Sequence, residues 1–221
     1  MKKILIFSPH PDDETLGAGG AIAKHAKNGD SLYWCIVTEG YTPEWSEQFL
    51  AKRKKEVAEV EKIYGFKKTF SLGFPSVKLD LQGSKKINDA IAKVISEVKP
   101  DVIYAPYPGD LNIDHGIVFH SIMVASRPKD GMHIEKILCY ETLSETEWGA
   151  HSKERAFVPN AYVDIQETFE IKMKAMHVYS SELKSPPHPR SAEVLKALAV
   201  KRGSECGLMM AEAFQLVRLI E

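Results

Sequence analysis

The chain has 221 residues, of which 44% are hydrophobic and 27% are charged. Its 29 lysine and arginine residues nearly balance 30 aspartate and glutamate residues, so the formal net charge is −1. This balance gives no electrostatic reason to bind nucleic acid or an acidic membrane, and we expect no nucleic-acid partner. At roughly 150 residues per domain, the length predicts a single domain over residues 1–221.

The three cysteines, Cys35, Cys139 and Cys206, are far apart and form no Cys-x-x-Cys motif. Cys35 and Cys139 lie in apolar runs, where a buried free thiol is the ordinary interpretation. The apolar run near the amino terminus is too short for a secretory signal. No stretch approaches the ~20 apolar residues that span a bilayer. We therefore expect a reduced, cytoplasmic protein without an integral membrane segment.

The first two thirds of the chain alternate short apolar runs with longer helical patterns, which is typical of βαβ units. We therefore predict an α/β fold, in which a Rossmann-like, mostly parallel sheet carries helices on both faces in three layers. The predicted strands cover residues 3–8, 31–38, 68–72, 102–106 and 136–141. The predicted helices cover residues 15–28, 44–65, 84–98 and 115–126.

The last third of the chain is less regular. Residues 142–160 predict no regular structure, and residues 162–165 predict one further strand. Two helices are expected near 167–182 and 191–215. Between them, residues 185–189 predict a rigid loop, because three closely spaced prolines remove hydrogen-bond donors and restrict φ.

The most informative segment is residues 8–14 (SPHPDDE), where the first predicted strand ends. Open α/β sheets bind ligands just beyond the carboxyl ends of their strands. Three consecutive carboxylates beside His10 crowd negative charge, which a bound cation relieves. Acidic residues in a first helical turn also complement the helix dipole, but this does not explain the preceding His10-Pro11 pair. The segment therefore predicts a metal site.

The glycine-rich residues 17–20 (GAGG) follow this segment and resemble a dinucleotide-binding motif only weakly. They come too late for the turn between strand and helix, and the preceding carboxylates would repel a pyrophosphate. We expect these glycines to allow close packing of the helix against the sheet.

A second polar segment, residues 108–115 (PGDLNIDH), follows the strand predicted at 102–106. If the two strands are adjacent, His10, Asp13 and His115 can converge as two imidazoles and a carboxylate. Three such ligands leave a coordination position for water, which is typical of catalytic rather than structural metal sites. His115 taken alone is equally compatible with an exposed loop histidine. Four other histidines are expected at the surface or in the ordinary core, without acidic neighbours: His25, His133, His151 and His177.

These residues resemble the LmbE-like or PIG-L-like zinc-dependent de-N-acetylases. Residues 10–14 resemble the signature of the family, and residues 112–115 (NIDH) resemble its second metal motif. Further similarity extends over nearly the whole chain, at residues 53–56, 157–160, 188–191 and 211–214.

The resemblance implies an enzyme that hydrolyses the acetamide of an N-acetylated amino sugar, giving a free amine and acetate. The sugar could be a GlcNAc-type glycoside or be linked to a nucleotide or a lipid. One Zn²⁺ per chain would be bound by His10, Asp13 and His115, with Asp12 as the general base. A two-histidine, one-carboxylate set also suits Fe²⁺ or another divalent ion. The resemblance further implies a homo-oligomer, either a trimer or a hexamer.

The chain departs from the family pattern at Asn112, where many members have a histidine. In those members the histidine pairs with the aspartate matching Asp114 and is thought to assist the oxyanion or proton transfer, and the resemblance thereby makes Asp114 a candidate catalytic residue. Asn112 can donate a hydrogen bond to the substrate but cannot transfer a proton. Asp12 could therefore carry out both proton transfers, or His188 in the proline-rich loop could supply the second proton.

Several further residues are candidates for roles around this site. Glu14 could orient a metal ligand or accept hydrogen bonds from backbone N–H groups. Arg53 and Arg190 could bind a substrate hydroxyl or phosphate, although Arg53 equally fits a solvated helix face. Trp45 and Trp148, in polar and irregular surroundings, could each stack on a sugar.

Two other functions fit the same residues. A metal-dependent phosphoesterase would hold two metal ions ~3.5–4 Å apart, and the carboxylates of Glu14, Asp110 and Asp114 could bind the second ion. A non-catalytic module that binds sugar or metal would release no amine from any N-acetylated compound. The metal stoichiometry separates the phosphoesterase from the deacetylase.

Overall fold

The computed structural model describes residues 1–128, 133–149 and 152–221. A sheet of seven strands lies at its centre, with the strand order β3-β2-β1-β4-β5-β7-β6. The strands are β1 (Lys3–Ser8), β2 (Ser31–Glu39), β3 (Lys68–Pro75), β4 (Val102–Pro106), β5 (Lys136–Tyr140), β6 (Ala161–Asp164) and β7 (Ala211–Leu219). Strands β1 to β5 pair in parallel, whereas β7 runs antiparallel to both β5 and β6.

Six α-helices accompany the sheet in the described part of the chain. They are α1 (Asp13–Lys27), α2 (Glu47–Tyr64), α3 (Ser84–Val98), α4 (Ile113–Ala125), α5 (Phe169–Val178) and α6 (Ala192–Ser204). Two short 3-10 helices cover Leu79–Leu81 and Lys153–Arg155. None of the described helices combines the length and the apolar character needed to cross a membrane.

The core consists of two apolar clusters, one on each face of the sheet. Alternate side chains of β1 belong to different clusters: Ile4 and Ile6 pack in one, and Leu5 and Phe7 pack in the other. Because successive side chains of a strand point to opposite faces, the sheet is covered on both sides. The predicted three-layer α/β fold with a mostly parallel sheet is therefore confirmed.

The helix predicted over residues 191–215 is confirmed as far as Ser204, and the prediction is wrong beyond that residue. Helix α6 ends at Ser204, and the chain turns back so that the N–H of Leu208 donates to the carbonyl of Gly203 at 2.9 Å. Gly207 allows this reversal with a φ of 77°, which glycine adopts without strain. The following residues then form β7 between β5 and β6, because these two strands supply hydrogen-bond partners on both edges of β7.

The glycine segment of α1 packs as closely as expected. A Cβ atom on Gly17 would lie 2.2 Å from Cδ2 of Tyr140, and one on Gly20 would lie 2.6 Å from Cγ2 of Ile165. Real Cβ atoms cannot approach other atoms so closely, so this helix lies against its neighbours only because these positions lack side chains.

His25 has an acidic neighbour, contrary to expectation. Its Nδ1 lies 2.7 Å from Oδ2 of Asp30, and its Nε2 lies 3.0 Å from the hydroxyl of Tyr104. These contacts join the last turn of α1 to β4. His151 lies outside the described residues.

Candidate active site

The structure brings together the three predicted metal ligands. Strands β1 and β4 are adjacent and parallel, so the loops after them meet at one edge of the sheet. His10 follows β1, Asp13 begins α1, and His115 lies in the first turn of α4. One ligand atom from each of these residues lies within 4.8 Å of the other two. Among the described residues, no other group of three histidine, cysteine or acidic side chains meets this distance.

His115 is held in one orientation by Asp110. The Nδ1 of His115 lies 2.7 Å from Oδ2 of Asp110, whose other oxygen accepts a hydrogen bond from Thr146 at 2.6 Å. The Nε2 of His115 is fully buried and has no hydrogen-bond partner among the described residues. It faces Asp13, with 3.5 Å between Nε2 and Oδ2. A buried imidazole nitrogen without a partner, beside a carboxylate, fits a bound metal ion.

His10 is oriented in the same way by Asp114. The Nε2 of His10 lies 3.1 Å from Oδ2 of Asp114, and its Nδ1 lies 3.4 Å from Oδ2 of Asp13. Asp114 itself accepts hydrogen bonds from the backbone N–H groups of Val77 and Leu79, at 2.7 and 3.2 Å. Each histidine therefore has a carboxylate on one ring nitrogen, as metal-binding histidines generally do.

The electrostatics of this cluster favour positive charge. Burial opposes a charge on His10, but hydrogen bonds to Asp114 and Asp13 outweigh it and raise the pKa of His10 to about 10. Burial also opposes ionisation of Asp13, but His115 and His10 outweigh it and lower the pKa of Asp13 to about 2. The buried carboxylates thus attract a cation, whether a proton or a metal ion.

Asp12, the predicted general base, lies beside this cluster and is 5% exposed. Its Oδ2 accepts a hydrogen bond from Nη1 of Arg190 at 3.0 Å. Burial raises the pKa of Asp12 to about 8, although the Arg190 guanidinium opposes the shift. The backbone N–H of Asp12 donates to Oε2 of Glu14 at 3.1 Å. Glu14 therefore binds the backbone that carries Asp12.

Glu14 is fully buried, and its carboxylate oxygens accept hydrogen bonds from other residues of the protein. Besides the bond from Asp12, it accepts hydrogen bonds from the hydroxyl of Thr15 at 2.7 Å and from that of Tyr179 at 3.0 Å. Burial raises the pKa of Glu14 to about 7. Through these contacts Glu14 supports the loop that carries Asp12.

The two arginines predicted to bind substrate are joined by Glu182. Oε1 of Glu182 is in contact with Nη2 of Arg53, and its Oε2 lies 3.3 Å from Nη1 of Arg190. The sequence did not single out Glu182, because this contact depends on the path of the loop after α5. The sequence suggests Asp110 only as a ligand for a second metal ion. Its position five residues before His115, in the loop that leads into α4, is the available signal for a histidine-orienting carboxylate.

A cavity of about 580 Å³ opens beside the cluster of His10, Asp13 and His115. Its lining includes His10, Asp12 and Asp13, which follow β1; the polar residues Asn112, Arg53, Lys54, Glu39, Glu182 and Arg190; and the apolar residues Trp45, Phe49, Leu50, Val57 and Val77. Asn112 caps the amino terminus of α4, where its Oδ1 accepts a hydrogen bond from the N–H of Asp114 at 3.0 Å. This contact does not use the amide N–H₂ group of Asn112, which remains available as a hydrogen-bond donor.

His188 and Trp148 are not among the residues that line this cavity. The ring of Trp148 meets the ring of His188 edge to face, with 5.5 Å between centroids. Nδ1 of His188 accepts a hydrogen bond from the backbone N–H of Arg190 at 3.1 Å. Of the two tryptophans predicted to stack on a sugar, Trp45 lines the cavity and Trp148 does not.

Comparisons with known proteins agree with this geometry. The sequence profile described as PIG-L: GlcNAc-PI de-N-acetylase matches residues 5–126, which include every proposed metal ligand. Diacetylchitobiose deacetylase of Thermococcus kodakarensis is 25% identical over 98% of this chain and 84% of its own. A probable N-acetyl-alpha-D-glucosaminyl L-malate deacetylase 2 of Bacillus subtilis is 24% identical over 81% of this chain and 82% of its own.

Solved structures show the same fold. A conserved protein of Thermus thermophilus superposes with a TM-score of 0.80 at 26% identity, covering 100% of this chain and 97% of its own. N,N'-diacetylchitobiose deacetylase of Pyrococcus horikoshii superposes with a TM-score of 0.74 at 25% identity, covering 98% of this chain and 84% of its own.

Proposed function

The chain belongs to the PIG-L, or GlcNAc-PI de-N-acetylase, family, and we propose on this basis that it is a metal-dependent N-deacetylase of an N-acetylated amino sugar. One observation carries the proposal: the buried Nε2 of His115 has no partner among the described residues and faces Asp13, next to Asp12. A ligand set and a buried carboxylate side by side are what metal-assisted hydrolysis requires. The reaction would give a free amine and acetate.

His10, Asp13 and His115 would hold the ion, which we propose to be Zn²⁺. When bound there, a divalent ion lowers the pKa of a water molecule towards ~7 and polarises a carbonyl group. Asp110 and Asp114 would orient the two histidines through their second ring nitrogens. Because both carboxylates already have this task, and no second three-ligand group occurs among the described residues, the arrangement supports one ion rather than two.

Asp12 would move the protons of the reaction. It would accept a proton from the attacking water as the new C–O bond forms at the acetyl carbon. It would then return that proton to the sugar nitrogen as the C–N bond breaks. A general base works best when its pKa lies near the working pH, and burial brings Asp12 into that range. Arg190 binds only one oxygen of this carboxylate, so the other remains for the proton.

Asn112 would bind the substrate through its amide N–H₂ group. Its Oδ1 is occupied by the first turn of α4, which fixes the orientation of the amide. Since Asn112 lines the cavity, its free donor can bind an oxygen of the acetamide or of the sugar. A donor of this kind stabilises negative charge on oxygen without transferring a proton.

The test is release of acetate and primary amine from a panel of N-acetylated amino sugars by the zinc-loaded chain. We expect turnover that a chelator abolishes and added Zn²⁺ restores, with about one ion bound per chain. The variant H10A/H115A should bind no ion at this site and release no amine. Absence of turnover on the whole panel, with the metal fully bound, would contradict the proposal. Light scattering of the same sample tests the proposed homo-oligomer.

A further inference from the structure

Arg190 is the residue that contacts the carboxylate of the predicted general base. Building on the proposed deacetylase function, we infer that Arg190 is a positioning residue, which holds the carboxylate of Asp12 where it can accept a proton from water and return it to the sugar nitrogen. Arg190 would then act on the reaction through Asp12 rather than by binding the sugar. The contacts of the guanidinium group and of the Arg190 backbone carry this inference.

The contact between Arg190 and Asp12 is direct and shielded from solvent. Nη1 of Arg190 donates to Oδ2 of Asp12 at 3.0 Å, and the two side chains are 12% and 7% exposed. Hydrogen bonds between charged groups are stronger in such surroundings than in water. Among the described residues, no other group donates a hydrogen bond to this carboxylate. The orientation of the Asp12 side chain therefore depends on Arg190.

Another nitrogen of the guanidinium is anchored to the loop after β5. Nε of Arg190 donates to the carbonyl of Leu143 and to the hydroxyl of Ser144, at 3.2 and 2.7 Å. Ser144 has a φ of 70°, a conformation that persists only where surrounding contacts enforce it. Because the guanidinium is planar and rigid, the bonds at Nε fix the direction in which Nη1 points. The loop after β5 thus determines where Arg190 meets Asp12.

Further contacts hold Arg190 itself in place. Its Nη1 lies 3.3 Å from Oε2 of Glu182, and its backbone N–H donates to Nδ1 of His188 at 3.1 Å. The next residue, Ser191, is fully buried and caps the amino terminus of α6, where its hydroxyl accepts from the N–H of Val194 at 3.3 Å. A side chain can orient a reacting group only when its own position is fixed in this way.

Substrate binding by Arg190 makes a competing prediction. Arg190 lines the cavity, and its Nη2 has no hydrogen-bond acceptor among the described residues, since Oε1 of Glu145 lies 3.6 Å away. A residue that binds the sugar acts whether or not Asp12 can accept a proton, and its loss weakens sugar binding. A residue that positions Asp12 contributes to kcat, and that contribution disappears when the carboxylate is removed.

The experiment is a double-mutant cycle of R190A and D12N in the zinc-loaded chain. Amine release is measured from N-acetylglucosamine or, if the wild type hydrolyses it too slowly, from the compound of the amino-sugar panel that it hydrolyses fastest. R190A should lower kcat by about 10²-fold, the loss expected of a group misplaced by about 1 Å, and change KM by about threefold or less. In D12N, the addition of R190A should change kcat by about threefold or less.

Rescue distinguishes positioning from a general loss of structure. R190K keeps the positive charge without the planar fork, so it should recover part of the kcat that R190A loses. Guanidinium chloride at low, non-denaturing concentration should also raise the kcat of R190A, but not that of D12N/R190A. If R190A does not fold, R190M takes its place in the cycle, because it keeps the aliphatic part of the side chain.

R202A is the matched control. The Arg202 side chain is also 12% exposed, Nη2 of Arg202 lies 2.7 Å from Oε2 of Glu141, and Arg202 does not line the cavity. R202A should lower the free energy of unfolding in urea and leave kcat unchanged. A fall in kcat in R202A as large as that in R190A would overturn the inference, because any buried arginine would then have the same effect.

Calorimetric titration with glucosamine gives a readout independent of turnover. R190A should bind this product about as tightly as the wild type and should retain its zinc, measured by elemental analysis. Weaker glucosamine binding with a loss confined to KM, an equal loss of kcat from R190A in the wild type and in D12N, or loss of the metal would each overturn the inference and leave the deacetylase function standing. If the wild type releases amine from no compound of the panel, the proposed function fails, and the inference fails with it.

Discussion

Three residues at the site adopt backbone conformations that L-amino acids rarely occupy. Asp12, Val77 and Ser144 have φ values of 123°, 52° and 70°. Each takes part in the site: Asp12 binds Arg190, the N–H of Val77 donates to Asp114, and the hydroxyl of Ser144 accepts from Arg190. Such conformations cost about 1–3 kcal/mol each and persist only where surrounding contacts enforce them. The hydrogen bonds with Arg190 and Asp114 are such contacts.

Asp12 supplies the most direct test of the proposed chemistry. D12N keeps the shape of the side chain but cannot accept a proton, so kcat should fall by about 10²–10⁴-fold. Bound zinc, measured by elemental analysis, should remain at the wild-type level, because Asp12 is not one of the three proposed ligands. Loss of the metal together with activity would place Asp12 among the ligands instead.

His188 is the contrasting case. Its Nδ1 is occupied by the N–H of Arg190, its ring packs on Trp148, and it does not line the cavity. We therefore expect Asp12 to serve both proton transfers. In H188Q the fall in kcat should stay far below the ~10²-fold loss that removal of a general acid causes. A loss of that size, with a changed basic limb of the pH profile, would assign the second proton to His188.

Asp110 tests whether the histidine-orienting carboxylates support metal binding. In D110A the Nδ1 of His115 loses its partner, and zinc affinity should fall by about 10–100-fold. D110N should lose less, because its amide oxygen can still accept the same hydrogen bond. Competition with a chromophoric chelator measures the affinity, and excess zinc should restore turnover. D89A, at an exposed position of α3, is the control; equal affinities in D110A and D89A would contradict this role.

The cluster of His10, Asp13 and His115 was predictable from the sequence because it depends on two short local patterns and one adjacency. His10 and Asp13 lie three residues apart, and His115 follows the neighbouring parallel strand. The contact between Arg190 and Asp12 joins residues 178 positions apart, and no local pattern marks it. The ion pair beside the predicted general base therefore required the structure.

At the scale of elements, a buried ion pair is inserted against the middle of α1. Nζ of Lys172, in α5, donates to the carbonyl of Leu16 at 2.9 Å and to Glu212, in β7, at 2.6 Å. Glu212 in turn accepts from the N–H groups of Gly20 and Ala21, at 2.9 and 2.7 Å. Both charged side chains are 6% exposed. This pair joins α1, α5 and β7 behind the site.

Breaking the pair should destabilise the fold. K172M leaves the carboxylate of Glu212 buried without its cation, and removal of one partner of such a pair costs about 3–5 kcal/mol. K174M, at an exposed position of the same helix, should change the free energy of unfolding by no more than about 0.5 kcal/mol. Urea denaturation measures both. The double variant K172M/E212Q should be more stable than K172M, and the reverse order would show that the pair has no such role.

The elements that were predicted correctly are those whose pattern is local. Strands β1 to β5 and helices α1 to α4 follow the βαβ alternation, and each is near its predicted place. Strand β7 was predicted as helix because its short-range pattern allows either structure. Its identity depends on β5 and β6, which are distant in sequence and pair with it on both edges. Tertiary pairing therefore decided what local propensity did not.

At the scale of the whole molecule, stability should depend on pH through His25. Burial outweighs the attraction of Asp30 and lowers the pKa of His25 below its ordinary value of 6.5. As the pH falls below 6.5, the unfolded chain takes up a proton at His25 before the folded chain does. The free energy of unfolding should therefore decrease over that window, and above it His25 contributes no pH dependence.

The variant H25Q isolates this contribution. We compare the free energy of unfolding in urea at pH 7.5 and 5.5 within each protein, so that any pH-independent cost of the substitution cancels. The decrease on acidification should be smaller in H25Q than in the wild type. H120Q, at an exposed position of α4, should show the wild-type decrease. An equal decrease in H25Q and H120Q would mean that the contacts joining α1 to β4 are not sensitive to the protonation of His25.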